Sequence, residues 1–250
     1  MRQPDAFKAI RFCDADRREM LPHSHDRGQF TCVVSGVMKQ QTEAGIWVVP
    51  RRRLIWIPPT IVHAARSKGP VEGWLVLAPA YYARQLPACV CVLKASNLLL
   101  ATLERLTHIA DVNGARAAIL SQVILFELDQ TEAEGLEIPL PRSRRLRSIA
   151  EQLLAEPSAG RDLDGWARMA ALSRRSFTRH FEDETGLSFF EWRRRVIAQH
   201  AIDRLASGES VSSVALALGY QSVSAFIAMF KRLHGAPPAK FFCEKSIARS

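Results

Sequence analysis

No stretch of these 250 residues reaches the roughly 18 consecutive apolar positions that a membrane-spanning helix needs. The opening residues, MRQPDAFKAIRFCDAD, hold no apolar core of the kind a secretion signal requires. Membrane residence and export are therefore not expected, and the chain reads as cytoplasmic. Cysteine is scarce: Cys13, Cys32, Cys89, Cys91 and Cys243 are odd in number and scattered. Cys89 and Cys91 would share one side of a strand but have no second pair, which argues against a zinc ribbon. Free, mostly buried thiols are expected. With 48% apolar and 24% charged residues, disorder is not indicated either.

Acidic residues run short in one half only. Residues 1–140 carry 16 Lys and Arg against 14 Asp and Glu, whereas residues 141–250 carry 18 against 11. Solubility alone does not require the excess to gather at one end. A polyanionic partner does. The rival readings of that excess are a solvated face and contact with an anionic membrane.

What is present changes character along the chain. Between residues 8 and 92, short apolar runs such as FTCVV (30–34), GIWVVP (45–50), LIWIPP (54–59) and GWLVLAP (73–79) alternate with Gly, Pro and charge. That pattern predicts an antiparallel barrel or sandwich. Trp47, Trp56 and Trp74 read as its core rather than a stacking cage, and Arg51-Arg52-Arg53 as a solvated turn, with an effector-carboxylate site as the alternative. SNLLLATLERLTHIA and GARAAILSQVILFELDQ, within 96–130, carry apolar residues at helical spacing. The second is apolar around much of its circumference, so it needs cover from the barrel or from a second subunit. The segment 131–144 combines Gly, Pro and a sudden basic run and reads as a linker.

Beyond the linker the chain repeats itself. Shifted by 49 residues, Ser173 matches Ser222, Phe177 matches Phe226, Phe181 matches Phe230 and Gly186 matches Gly235, with Ala170 set against Gly219. Each serine is suited to cap a helix and each glycine to end one. A helix, a tight turn with a small residue at the corner and a second helix make a helix-turn-helix unit. In SRRSFTRHFEDETG (173–186) the two phenylalanines share one face, and Arg174, Arg175, Arg179 and His180 project from the others. The rings can dock on the preceding helix and leave the cationic face for a DNA major groove. EWRRRVIAQHAIDRL (191–205) joins the two units as a strut of about 22 Å. A strut of that order can set two reading helices about one DNA turn, ~34 Å, apart. An ordinary helical bundle is the competing reading, and two copies in register with the charge concentrated there weigh against it.

At these residues the chain resembles the AraC/XylS family of bacterial transcription regulators. The resemblance rests on AALSRRSFTRHFEDETGLSFFEWRRRVIAQHAIDRL and on ALALGYQSVSAFIAMFKRLHGAPPAKF, and it covers residues 145–245. It implies base contacts from Arg175, Thr178 and Arg179, and from Ser224, Ile227 and Ala228 at the matching positions. Arg174, His180, Ser222 and Lys231 complete the expected DNA-binding set, with Lys231 suited to phosphate.

The other chemical feature is PHSHDRGQFTCVVSG (22–36) together with WIPPTIVH (56–63). His23, His25 and Gln29 have the same parity, so an extended strand would aim them together, and His63 lies near another strand. These stretches resemble the two motifs of a cupin barrel, matching at His23, His25, Gly36, Pro58 and His63. Gln29 stands where many metal cupins have Glu, and Thr60 where the second motif has Gly. The resemblance implies an effector-sensing domain. Three imidazoles and an amide suit Zn²⁺, Ni²⁺ or Fe²⁺. They suit equally an organic effector, or histidines satisfied inside an empty barrel.

The expected fold is therefore two-domain α+β. An N-terminal antiparallel β-barrel, cupin-like, spans 8–92, and helices at 93–130 are the homodimer surface that the resemblance implies. The linker 131–144 leads to an all-α domain, 145–245, with two helix-turn-helix units. The expected function is sequence-specific transcription regulation under a small-molecule effector bound at His23, His25, Gln29 and His63, not catalysis. Expected partners are a double-stranded DNA operator, the effector, a second copy of the chain and RNA polymerase, with no membrane. No cofactor is required, and a divalent transition metal on the same four residues is the one the barrel could take. Two rival functions use the same residues: a metal-dependent, oxygenase-like cupin enzyme tethered to a DNA-binding module, and a non-specific architectural DNA binder.

Overall fold

The computed structural model describes residues 6–111, 114–129, 133–134, 137–157 and 161–243, with 133–134 and 242–243 described by their backbone alone. The chain forms two compact units, Met1–Thr42 with Trp47–Glu137, and Glu43–Ile46 with Ile138–Ser250.

The first unit is built on two antiparallel sheets. The strands of the chain are β1 (Lys8–Asp14), β2 (Glu19–His23), β3 (Gly28–Ser35), β4 (Val37–Thr42), β5 (Gly45–Pro50), β6 (Arg53–Ile57), β7 (His63–Arg66), β8 (Val71–Ala78), β9 (Cys91–Lys94), β10 (Ala133–Glu134) and β11 (Glu137–Pro139), with the first two residues of β5 and the last two of β11 counted in the second unit. One sheet orders them β1-β8-β3-β6-β9-β10, the other β11-β5-β4-β7-β2. Strand β3 is buried on both faces, which its alternation explains. Phe30 and Cys32 join a core with Trp56, Trp74 and the helices α2 (Asn97–Thr107) and α3 (Ala115–Asp129). Val33, on the other face, joins Met38, Trp47, Val49, Ile55, Ile57 and Val92 in a second apolar core. Gln29 and Thr31 share that second face and give it a polar end. Gly36 makes the sharp β3–β4 corner at φ 76°, and a Cβ there would sit 2.1 Å from the Pro70 carbonyl oxygen.

The two long helices form where the 3.6-residue spacing predicts. Ser96 caps α2 by accepting from Leu99 N–H, and Leu99, Thr102, Leu103 and Leu106 form its buried stripe. In α3 the buried positions are Ala117, Ser121, Ile124 and Leu128. A short helix α1 (Ala80–Ala83) contributes the buried Tyr82. The cysteines divide evenly rather than falling mostly inside. Cys13 and Cys89 are exposed while Cys32 and Cys91 are buried, all four free; the side chain of Cys243 lies outside the described residues. Burial pushes the Cys32 thiol up to about 12 and the Cys91 thiol up to about 11. Of the expected linker, residues 131, 132, 135 and 136 lie outside the described residues, while 137–139 form a strand.

The second unit is helical: α4 (Arg144–Ala155), α5 (Leu163–Met169), α6 (Arg174–Thr185), α7 (Phe189–Ala206), α8 (Val211–Ala217), α9 (Val223–His234) and α10 (Pro238–Cys243). Five of the seven starts have a side-chain cap. Asp162, Ser173, Ser188, Ser210 and Ser222 all accept from a first-turn N–H, and Ser188 forms a full capping box with Glu191. Gly186 and Gly235 end α6 and α9 in the left-handed conformation. Phe177, Phe181, Phe189, Trp192 and Trp166 fill one core. Phe226 and Phe230, with Tyr220 and Phe241 against them, anchor the other end of the unit. Helix α7 contributes to both ends, from Phe189 and Trp192 at its start to Ala201 and Ile202 near its close.

The internal repeat has a finer register than the sequence suggests. Helices α6 and α9 match at a shift of 49, but α5 and α8 match at 48. The corner residue equivalent to Gly219 (φ 82°) is therefore Ala171 (φ 55°), not Ala170. Both corners close the same way, Leu172 N–H donating to Ala167 C=O and Tyr220 N–H to Ala215 C=O, at 3.0 Å each. The second turn is one residue longer, and this displaced the pairing.

Candidate functional site

Two regions carry the chemistry, one in each unit. In the helical unit, α6 turns Phe177 and Phe181 fully inward against Phe189 and Trp192. Arg174, Arg175 and Arg179 are exposed, and Thr178 and His180 half-buried. Arg175 and Arg179 sit four apart on one outward face. Arg174 is drawn aside, with its guanidinium 3.6 Å from Asp164 of α5. The Thr178 hydroxyl donates to the carbonyls of Arg174 and Arg175, so it is occupied by its own helix. Arg179 Nη2 lies 3.3 Å from His180 Nε2.

Helix α9 repeats the placement with different chemistry. Ser224 and Ala228 are exposed and Ile227 is half-buried, like Arg175, Arg179 and Thr178 in turn. Ser222 spends its hydroxyl on the cap, accepting from Ala225 N–H at 3.2 Å. Lys231 is exposed in the last turn. Each helix thus gathers its five expected residues. Asp164 was not legible as part of the surface, because its pairing with Arg174 depends on how α5 and α6 cross.

In the first unit His23, His25 and His63 converge. Their ring centres are 4.4 Å (His23 to His63), 5.1 Å (His25 to His63) and 5.9 Å (His23 to His25) apart. Strand parity is not what unites them. Strand β2 ends at His23, the chain bends at 26–27, and Gln29 lies on the separate strand β3. His63 arrives by pairing, since β2 and β7 set it opposite His23. Thr60, where the resemblance expects Gly, does hold a left-handed backbone at φ 68°, and its N–H donates to His25 C=O at 2.8 Å. A β-branched residue in that conformation is strained.

Each imidazole is held through the same atom. Nδ1 lies 2.8 Å from Leu21 C=O in His23, 2.6 Å from Arg27 C=O in His25 and 2.8 Å from Ile61 C=O in His63. A carbonyl only accepts, so in each ring Nδ1 is the donor and Nε2 is the nitrogen left for another partner. The donor atoms of the three residues lie within 4.8 Å of one another. His63 is 1% exposed, and its Nε2 is buried with no hydrogen-bond partner. Burial lowers its pKa, with His23 and His25 adding to the fall, although the Ile61 carbonyl acts the other way. Gln29 Oε1 lies 3.0 Å from His25 Nε2 while its amide nitrogen donates to Thr31 Oγ1. Gln40 donates to the same Thr31 oxygen, and its own Oε1 is buried without a partner. Thr31 and Gln40 were missed in the sequence. The parity of Gln29 and Thr31 was the available signal for the first, and only the β3–β4 corner brings in the second.

A helix-turn-helix domain family matches residues 166–243. The chain is 31% identical over 240 residues to the HTH-type transcriptional regulator NimR of Escherichia coli K12, covering 93% of this chain and 87% of that protein. It is 35% identical over 103 residues to the HTH-type transcriptional regulator RipA of Corynebacterium glutamicum, covering 41% of this chain and 31% of RipA. Unsaturated fatty acid bound ToxT of Vibrio cholerae superposes with a TM-score of 0.41 at 10% identity over 99% of each chain, a likeness too distant to transfer any residue. Among the described residues no helix is long and apolar enough to cross a membrane. The helical unit with its outward cations, and the 31% identity to a named transcriptional regulator over 93% of the chain, place this chain in the AraC/XylS family of bacterial transcription regulators, DNA-binding proteins rather than enzymes.

Proposed function

We propose that the chain is a sequence-specific regulator whose N-terminal domain senses a small molecule and whose C-terminal domain reads an operator through two helix-turn-helix units. The observation that carries the reading is the position-by-position correspondence of α6 and α9: phenylalanines fully inward, and three matched positions outward on each. Arg175 and Arg179 donate to base edges, Thr178 offers a methyl, and Arg174 and His180 lie beside the backbone. On α9, Ser224, Ile227 and Ala228 face the groove, Ser222 lies at its rim and Lys231 meets phosphate. The domains divide as 8–92, a cupin-like barrel, 93–130, a dimerisation helix pair, 131–144, a linker, and 145–245. Partners are a second copy of the chain and, at a promoter, RNA polymerase, in the cytoplasm.

Sensing falls to His23, His25, Gln29 and His63. The donor set supports a divalent transition metal there: three imidazoles present Nε2 lone pairs, one of them buried without a partner. Zn²⁺, Ni²⁺ and Fe²⁺ suit such ligands, whereas Ca²⁺ and Mg²⁺ prefer oxygen. Three His Nε2 atoms would hold the ion, with the Gln29 amide oxygen beside them.

Competition tests the DNA reading. Fluorescence anisotropy on a labelled fragment from the chain's own promoter region should survive a large mass excess of unrelated DNA. Equal competition by both DNAs would reduce the protein to a non-specific binder.

A further inference from the structure

Two buried side-chain atoms at the sensing end lack a partner, and each can accept a hydrogen bond or bind a cation. These are His63 Nε2 and Gln40 Oε1, while His25 Nε2 lies 3.0 Å from Gln29 Oε1. An anion set directly against these atoms meets only lone pairs and is repelled. The residues that converge on the site also include no carboxylate: three histidines make up the metal-capable group, and an amide adjoins them. A divalent ion held there keeps its whole charge, and neutral ligands leave it with a demand for an anionic one. Where many such sites have Glu, Gln29 withholds the carboxylate that would satisfy that demand.

Exposed aliphatic residues next to His23 and His63 in the chain add a second feature. Leu21, Ile61 and Val62 are 75%, 36% and 56% exposed. Leu21 and Ile61 supply the carbonyls that anchor His23 and His63, so this apolar rim belongs to the same two paired strand ends. Three exposed aliphatic side chains beside a charged centre fit an apolar group next to an anionic head.

We infer that the effector is an amphipathic anion, such as a hydrophobic carboxylic acid, whose head group ligates the metal at His23, His25 and His63 and whose apolar part lies over Leu21, Ile61 and Val62. This rests on the metal reading proposed above. It assigns the metal the role of anion receptor, and the aliphatic rim the role of selecting among anions.

The test uses the full chain stripped with chelator and reloaded with Co²⁺, whose visible bands report its ligands. Metal content is measured first. Acetate, hexanoate and hexanol are then titrated, following the bands and the heat of binding. Hexanoate should shift the bands and bind more tightly than acetate, and hexanol should do neither. Leu21→Ser with Val62→Ser should remove the advantage of hexanoate over acetate while leaving Co²⁺ uptake unchanged. Gln29→Glu should strengthen Co²⁺ uptake and weaken both carboxylates. A chain that takes up no Co²⁺ fails at the metal reading and takes this inference with it. A chain that takes up Co²⁺ but binds hexanoate no better than acetate, or binds hexanoate equally without metal, overturns this inference alone and leaves the metal site standing.

Discussion

At the scale of single residues, two departures from the easy backbone regions carry the most information. Ala171 turns the α5–α6 corner at φ 55°, where its counterpart Gly219 has φ 82°. A Cβ in the left-handed region costs roughly 1–2 kcal/mol, partly offset by the lower chain entropy of alanine over glycine. Ala171→Gly should therefore stabilise the helical unit by up to about 1 kcal/mol, and Gly219→Ala should destabilise it by a similar amount. Calorimetry on the full chain measures both as opposite shifts of one transition. Shifts of the same sign would show that the two corners are not equivalent. Thr60 is the other departure, and the missing glycine of the second motif was legible as an anomaly before its φ of 68° was known. The phenylalanine anchors were fully legible, since Phe177, Phe181, Phe226 and Phe230 are all inside. Hydrogen bonds were not. The Thr178 hydroxyl is occupied by its own helix, and the tautomers of three histidines are fixed by carbonyls that no motif names.

At the scale of elements, spacing and caps placed α3, α6, α7 and α9 to within two residues of their ends, because apolar periodicity and Ser or Gly caps are local signals, while α2 stops at Thr107, three residues short of the end of its apolar stretch. The His cluster shows what locality misses. Its members come from the end of β2, the loop after it, β3 and β7, and strand pairing rather than parity sets His63 opposite His23. Helix α3 poses the open energetic question. It buries Ala117, Ser121, Ile124 and Leu128 but leaves Ile119 and Phe126 exposed by 63% and 65%, seven residues apart and so on one face. Burying a phenylalanine contributes about 1.5–3 kcal/mol, so a second copy that covers this face gains substantially. Phe126→Asp should shift the protein from dimer to monomer in sedimentation equilibrium at micromolar concentration, with its helical content unchanged. A wild-type chain that sediments as a monomer would remove α3 from any interface.

At the scale of the whole molecule, the uneven charge is the feature that fixed the function class. The basic surplus lies in residues 141–250, and the helical unit 138–250 is where the outward cations are found. The two reading helices present unequal chemistry at equivalent positions. Arg175 and Arg179 can each donate two hydrogen bonds to guanine, worth about 1–3 kcal/mol of discrimination, where Ile227 and Ala228 can meet only thymine methyls or other apolar edges. One half-site should be sharply defined and guanine-containing, the other loose or thymine-rich. The measurement that reaches this claim most directly is selection of bound sequences from a randomised DNA pool, repeated with Arg179→Ala and with Lys231→Ala. The account predicts that Arg179→Ala relaxes one or two base pairs of the sharp half-site. It predicts that Lys231→Ala lowers affinity for all sequences alike and flattens the salt dependence. If Arg179→Ala instead weakens every sequence equally and leaves the preferred bases unchanged, α6 touches only phosphates and does not read the operator.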